Sequence, residues 1–535
     1  MTTLNSKIIL FLPIFSYLAI FYYYPMGKIF VNAPNLTFIF DYLFHNPLVS
    51  RFFWFTLSQS ILTVLISLVF GIPSGYILAR QKPILIKWFR TIFTVPFIFP
   101  PLAILMGFVI TFDQNGILYQ VSNGRLTFDP FSYSGIVFAH SIFNISVVAR
   151  ITESSLYSEP QEYHELAIVM GANSSERFKS ITLPHIRPSL EAAGLLVFLY
   201  AFNSFGIVLI LGEVRYQTIE VMIYSQSQAR LRFDRAIALA LLQMIFDIII
   251  IIIYLSRSSY QTKIIEGTTI PRSDEKVKST IFLSIIALIM WFPVIVLLYQ
   301  TYVGLVSGPS VIRTQLLSGH YNSFIGASSL RVIENTLFFG IATAGVAWIF
   351  GVLIALMPDS NGNDQRFSKI TNFLILLPMT TSAITFSLAI LIAFGTISNF
   401  NELVWLFILS AHILATLPFI SRIVISGRSR IPEDLLLVSR SFGSNIIDQF
   451  RHVIWPYMKN SLQVAGLFAF AISIGEFGAT FYLARGQWIT LSLAIDKLFS
   501  SRTAILPNLY ALILVGFATG VLYLIEKIGA LELRI

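Results

Sequence analysis

Twelve stretches of this chain are each apolar over about the length of a membrane-crossing helix: 8–24, 53–78, 91–111, 134–150, 190–212, 236–256, 279–303, 335–357, 371–394, 403–424, 461–484 and 507–526. A bilayer core about 30 Å thick needs about 20 apolar residues per helix. Composition agrees: 56% of the 535 residues are hydrophobic, 12% are charged, and the mean hydropathy is +0.76. A soluble chain of this length needs far more polar surface. The expected fold is all-α, a polytopic membrane protein. The first run follows a single basic residue, Lys7, and no small-x-small cleavage site comes after it, so it reads as an uncleaved first span. There are no cysteines, which excludes disulfides, thiol catalysis and cysteine metal sites.

The pI near 9.5 raises the question of nucleic acid. The basic residues sit in short loops between apolar runs, the pattern that sets membrane topology, so no nucleic-acid partner is expected. Arg80, Lys82, Lys87 and Arg90 follow span 2, and Arg177, Lys179 and Arg187 follow span 4. Arg428, Arg430, Arg440, Arg451 and Lys459 follow span 10. These loops are expected in the cytoplasm, with the N-terminus on the same side of the cell membrane. The loop 213–235 opposes this with Arg215, Arg230, Arg232 and Arg235, partly offset by three acidic residues.

The chain repeats itself at an offset of 272 residues. Ala139-His140 matches Ala411-His412, Arg150 matches Arg422, Pro160 matches Pro432, Gly171 matches Gly443, and Pro184 matches Pro456. Phe205-Gly206 and Thr218 match Phe477-Gly478 and Thr490. The expected organisation is a first half over 1–260, a polar cytoplasmic linker over 261–278, and a second half over 279–535. Each half holds six spans, so both enter the membrane with one polarity and are parallel repeats. A partner docking on both should have approximate two-fold symmetry.

A polar, helix-forming island separates spans 4 and 5. Pro160 suits an early helical position, with Ser158 or Glu159 as the cap. Tyr163, Leu166, Ala167 and Met170 share one helix face, and Gly171 ends the helix. A second short helix should start near Asn173 or Ser174 and stop before Pro184. Leu435, Val438, Ser439, Phe442, Gly443 and Pro456 repeat the plan. The apolar face either packs under its own bundle or inserts into a partner's groove.

Glu165-x-Ala167-x-x-x-Gly171, then nine residues, then Ile181-x-Leu183-Pro184, resembles the "EAA" coupling loop of ATP-binding-cassette importer permeases. The resemblance implies that these residues dock in a cleft of cytoplasmic ATP-binding subunits. It also implies an extracytoplasmic solute-binding protein that delivers the cargo. The second copy keeps Gly443 and Pro456, but Leu437, Ser439, Val453 and Trp455 replace the acidic, small and aliphatic residues. A narrower resemblance, to fused twelve-span permeases of the thiamine and ferric-iron group, covers nearly the whole chain. Asn203 to Gly212, Thr218 to Tyr224, Ser473 to Ala479 and Thr490-Leu491 carry it. Thr127 to Tyr133, Ala139-His140 and Leu242-Gln243 look most like the thiamine permeases.

Glu476 lies in an apolar segment, where a carboxylate is costly. Its position leaves two roles open, lining a path for a cationic solute or capping a helix. Its repeat mate is Ser204, so either role is one-sided. His140 and His412 are repeat mates near mid-membrane, either satisfied core residues or pathway residues. Asp247 is assigned no role. No histidine spacing suggests a metal site, and no cofactor is expected. No Walker-type Gly-x-x-x-x-Gly-Lys-Ser/Thr occurs; Gly27-Lys28 is followed by Ile29. No catalytic constellation is legible, so no enzyme is expected. The alternative, an ion-coupled secondary transporter, wants several intramembrane carboxylates, and Glu476 and Asp247 are the two available.

Overall fold

The computed structural model describes residues 11–80, 83–114, 116–258, 277–307, 321–356, 371, 373–500 and 505–532. The described chain is almost wholly helical, with one short hairpin pairing Tyr321–Asn322 with Ala327–Ser328. Nine described helices are long and apolar enough to cross a membrane. They include α1 (Phe11–Val31), α2 (Pro47–Arg80), and Pro101–Val121, whose first part is α4 (Pro101–Phe112) after α3 (Pro83–Ile98). Next come α5 (Tyr133–Tyr157), α11 (Phe233–Ser258) and α12 (Val277–Ser307). Then follow α13 (Ser329–Ala355), α15 (Phe400–Arg428) and α21 (Ile505–Glu532). A tenth span results if the pair 373–380 and α14 (Ala383–Phe394), bent by 99°, counts as one.

Three of the twelve expected runs are not counted as single spans, 371–394 being the bent pair and 190–212 and 461–484 each two helices, while a fourth, 91–111, is broken but counted through Pro101–Val121. The run 91–111 is broken at Phe99-Pro100 between α3 and α4, because proline supplies no N–H to continue the ladder. The run 190–212 is α8 (Leu183–Phe202) and α9 (Gly206–Leu211), parted at Asn203-Ser204-Phe205. The run 461–484 is α18 (Trp455–Gly475) and α19 (Gly478–Leu483), parted at Glu476-Phe477. At the second break Thr218 donates to the Ser204 carbonyl and Gln59 to that of Ala201, and at the third Glu476 accepts the Ala479 and Thr480 N–H groups, as lipid-depth irregularities require.

The chain packs as two compact units. One, the N-unit, holds 35–225 and 238–302; the other, the C-unit, holds 1–34, 226–237 and 303–535. The sequence halves 1–260 and 279–535 and these packing units therefore differ in two ways: the first helix of each half packs among the helices of the other, and residues 226–237 of the first half fall in the C-unit. The expected linker lies outside the described residues up to 276, and α12 has already begun at Val277.

In the N-unit α2, α5 and α8 form the core. Val147, Val148, Ala193 and Val197 are buried there, with Val64, Leu68 and Ile72 against them. At Gly75 a Cβ would stand 2.3 Å from the Ala149 carbonyl oxygen, so only glycine lets α2 approach α5 this closely. In the C-unit α13, α15 and α18 pack in the same way. At Gly427 a Cβ would lie 2.5 Å from Ser461 Oγ.

Candidate functional site

The coupling segment folds as α6 (Gln161–Val169), α7 (Ser174–Arg177), a π-helical turn over Phe178–Thr182, and then α8. Pro160 is itself the N-cap of α6, so the helix starts one residue later than a cap at Glu159 would give. Gly171 has φ +82°, its N–H bonds the Ile168 carbonyl at 2.9 Å, and the Ala172 N–H bonds Ala167 at 2.9 Å. This is a Schellman turn, and a Cβ at Gly171 would meet nothing within 4 Å. The glycine is there for its backbone conformation, with space to spare. Asn173 then starts α7 with a capping box: its Oδ1 accepts from Glu176 N–H at 3.0 Å, and Glu176 Oε2 accepts from Asn173 N–H at 2.8 Å.

The second helix does not stop before Pro184, as the sequence suggests. The π turn hands the chain directly to α8, with Leu183 N–H bonding Phe178 five residues back. Pro184 then falls in the first turn of α8, where its missing N–H costs nothing.

The second segment repeats these elements at the 272 offset. It comprises α16 (Glu433–Ser441), α17 (Ile446–Gln449), a π turn over Phe450–Ile454, and α18. Gly443 has φ +77°, Ser444 N–H bonds Ser439 at 3.3 Å, and Asn445 Oδ1 caps Asp448 N–H at 2.8 Å. The substituted Ser439 adds a hydroxyl bond to Ser444 Oγ at 2.6 Å.

Both segments present apolar side chains outward. Val169 and Met170 are each 85% exposed, and Phe442 is 86% exposed. Tyr163, Leu166, Leu437 and Ile447 are exposed too. Glu165, Leu183 and Pro184 are exposed, while Ala167 and Ile181 are half-buried. The expected face of α6 is thus turned outward, wider by Ile168 and Val169 than its helical spacing predicts. Polar ties hold the first segment to the bundle: Glu159 Oε1 lies 3.0 Å from His164 Nε2, and Ser158 Oγ 3.2 Å from His185 Nε2. Behind it the buried Glu153 carboxylate takes Arg90 Nε at 2.5 Å and is also ion-paired with Arg150. Arg150 is therefore committed to Glu153, three residues on in its own helix.

The expected pathway residues sit at the helix breaks. In the N-unit His140 is buried, with Nε2 2.7 Å from Ser204 Oγ. In the C-unit His412 is buried, with Nδ1 2.7 Å from Ser473 Oγ. Its Nε2 is 2.9 Å from Thr480 Oγ1 and 3.3 Å from Glu476 Oε2. Glu476 accepts N–H bonds from Ala479 at 2.7 Å and Thr480 at 3.0 Å. The carboxylate thus caps α19, and each histidine touches the break residue of its own unit.

A buried polar chain that sequence reasoning left unassigned lies at the N-unit break. Asn203 Nδ2 donates to Asp247 Oδ1 at 3.0 Å. Gln243 Nε2 donates to Asn203 Oδ1 at 2.5 Å and to Glu220 Oε1 at 3.1 Å. Gln243 and Asp247 are four apart on α11, and Glu220 interrupts an apolar stretch; both signals are present in the sequence. Among the described residues no group of three or more metal-ligating side chains converges.

Residues 71–261, which include the first coupling segment, match the family described as binding-protein-dependent transport system inner membrane component. They form an ATP-binding-cassette permease domain. The chain is 24% identical over 506 residues to the thiamine transport system permease protein ThiP of Haemophilus influenzae, covering 89% of this chain and 88% of the relative. It is likewise 24% identical over 506 residues to ThiP of Escherichia coli, covering 91% and 89%. The ferric transport system permease protein FbpB of Actinobacillus pleuropneumoniae is 20% identical over 405 residues, covering 73% of this chain and 58% of the relative. The chain is an all-α, multi-pass inner-membrane transport permease, and permeases of this family work with ATP-binding subunits and a binding protein.

Proposed function

We propose that this chain is the translocation core of an ATP-driven importer, two parallel six-span halves in one polypeptide, with thiamine as cargo. In this reading the bent pair and the two broken helices α8–α9 and α18–α19 each count as one span beside the nine candidates, giving twelve, and the basic loops put the N-terminus in the cytoplasm. Glu165, Ala167, Gly171, Ile181, Leu183 and Pro184, with Gly443 and Pro456 in the second copy, form two sockets for a dimer of ATP-binding subunits. An extracytoplasmic binding protein delivers the solute to the other face. Closure of the ATPase dimer draws the sockets together and biases a two-state rocking of the halves.

The single observation that carries the reading is the doubled, outward apolar coupling segment, turned at Gly171 and at Gly443. A helix with this much exposed apolar surface needs a groove to cover it. The chain-long similarity to thiamine permeases supports the cargo. His140, His412 and Glu476 line the path in this proposal, each flanking a helix break. The similarity to a ferric permease favours iron as the second reading.

The test is uptake into vesicles with and without the ATP-binding subunits, offered thiamine or ferric iron. ATP-dependent thiamine uptake is expected. Uptake that persists without ATP and collapses with an uncoupler would overturn the proposal in favour of an ion-coupled carrier.

A further inference from the structure

A groove of about 430 Å³ opens on the flank of the N-unit between α2, α8 and α11. Val64, Leu65 and Leu68 form one wall; Leu190, Gly194 and Phe198 form another. Glu191 is the one polar side chain in the lining. Ile61, at the deep end, is 46% exposed and Leu65 is 52% exposed, so the groove opens outward to the hydrocarbon layer. At its floor a Cβ on Gly194 would lie 3.6 Å from Val64 Cγ1.

The repeat places a bulkier side chain at the matching position of the C-unit. Thr56 Oγ1 accepts Ile219 N–H at 3.1 Å, and Thr336 Oγ1 accepts Leu491 N–H at 2.8 Å. The donors are 272 apart and the acceptors 280 apart, which sets the register between α2 and α13. Leu68 therefore corresponds to Trp348, Val64 to Ala344, and Gly194 to Gly466. In the C-unit Trp348 Cδ1 stands 4.0 Å from where a Gly466 Cβ would be, and the indole packs edge-on to Trp455 at 6.1 Å. Leu68 Cδ1 stands 3.8 Å from the Gly194 Cβ position, so the two side chains lie over equivalent glycines, the C-unit carrying the larger one.

One end of the groove is charged. Arg187, one turn before Glu191 on α8, holds Glu191 Oε1 through Nε at 2.9 Å, and its side chain is 74% exposed. This is the end of α8 that emerges from the coupling segment. The lining residues 61–68 rise about 11 Å along α2, at 1.5 Å per residue, most of one leaflet of a bilayer core about 30 Å thick.

We propose that this groove holds one acyl chain of an anionic phospholipid of the cytoplasmic leaflet, with the phosphate on Arg187. The leaflet assignment rests on the coupling segments facing the cytoplasm. A guanidinium matches a phosphate through paired N–H bonds, and basic residues at the cytoplasmic ends of helices recruit anionic headgroups. The apolar lining takes the chain; the exposed cation selects the headgroup.

The experiment is native mass spectrometry of the full chain released from micelles containing phosphatidylglycerol or phosphatidylcholine of matched chains. The wild type is expected to retain phosphatidylglycerol in preference to phosphatidylcholine. Leu68→Trp should lower the retained fraction about fivefold, the equivalent of about 1 kcal/mol. Arg187→Gln should abolish the headgroup preference and leave phosphatidylcholine retention as it was. Trp348→Leu should add a bound lipid, a gain that a misfolded chain does not give. Equal retention of the two lipids by the wild type would overturn the headgroup assignment. Unchanged lipid counts in both Leu68→Trp and Trp348→Leu would overturn the groove as a lipid site.

Discussion

Tyr23 donates its hydroxyl to the carbonyl of Leu374 at 3.1 Å, and Leu374 stands four residues before Pro378. Proline supplies no N–H, so its i−4 carbonyl loses its helical partner. The N-unit solves the same problem with a different side chain: Trp291 Nε1 donates to the carbonyl of Ile92 at 2.9 Å, four residues before Pro96. In both cases the donor comes from the first helix of one sequence half and the orphan carbonyl from the other half. The exchange of first helices therefore satisfies backbone groups that lipid leaves unpaired.

Tyr23→Phe and Trp291→Phe should each lower stability by about 0.5 to 2 kcal/mol, the scale of a polar bond within a membrane bundle. Thermal unfolding of the detergent-solubilised chain measures this. Neutral effects at both positions would mean that water or a rearranged turn already satisfies the carbonyls.

Gly171→Pro should leave membrane insertion intact and abolish co-purification of the ATP-binding subunits, because proline cannot adopt φ +82°. Gly171→Ala should cost about 1 kcal/mol locally, the left-handed penalty of a Cβ, since no atom obstructs it. The equivalent changes at Gly443 should weaken co-purification less, because the second socket lacks the acidic and small residues of the first. Equal loss from both glycines would show that the sockets share the docking energy evenly.

Glu476→Ala removes the acceptor of two backbone N–H groups and one hydroxyl, and should cost about 1 to 3 kcal/mol. Glu476→Gln keeps one carbonyl acceptor and should cost less. If Glu476 also lines the path, Glu476→Gln should raise the half-saturating thiamine concentration for uptake in protein that is still folded at the assay temperature. A fall in stability with an unchanged uptake profile would assign the carboxylate to capping α19 alone.

Much of this was legible in the sequence, and the residues say why. The turn glycines Gly171 and Gly443 and the cap Asn173 announce themselves through local backbone chemistry, which is carried by single residues. Helix breaks at Ser204 and Glu476 were not predicted, because both lie inside uninterrupted apolar runs. Ser204 is satisfied by partners 14 and 64 residues away, Thr218 and His140, and Glu476 reaches His412, 64 residues back, besides capping Ala479 and Thr480. The exchange of first helices was equally hidden, since Tyr23 and Leu374 are 351 positions apart. Trp348 and Leu68 became comparable only when Thr56 and Thr336 fixed the register.

The last prediction concerns pH. Asp496, on α20 (Leu491–Ser500), has its carboxyl pushed up from 3.8 to about 6 by burial, against a smaller opposing pull from Lys497. Lys497 itself is engaged elsewhere, with Nζ donating to the Ile325 carbonyl at 2.9 Å. An acid whose folded pKa lies above its unfolded value binds more protons when folded. Its stabilising contribution is therefore full below about pH 4 and is lost as the pH rises through about 6. Above that the buried charge costs the fold on the order of 1 to 3 kcal/mol. Asp496→Asn removes the titration, so the variant should gain stability relative to the wild type as pH rises from 4 to 7 and hold that gain above it. Thermal midpoints of the two proteins measured in parallel across that range supply the difference. A constant difference would place the Asp496 carboxyl at its ordinary value, in contact with water.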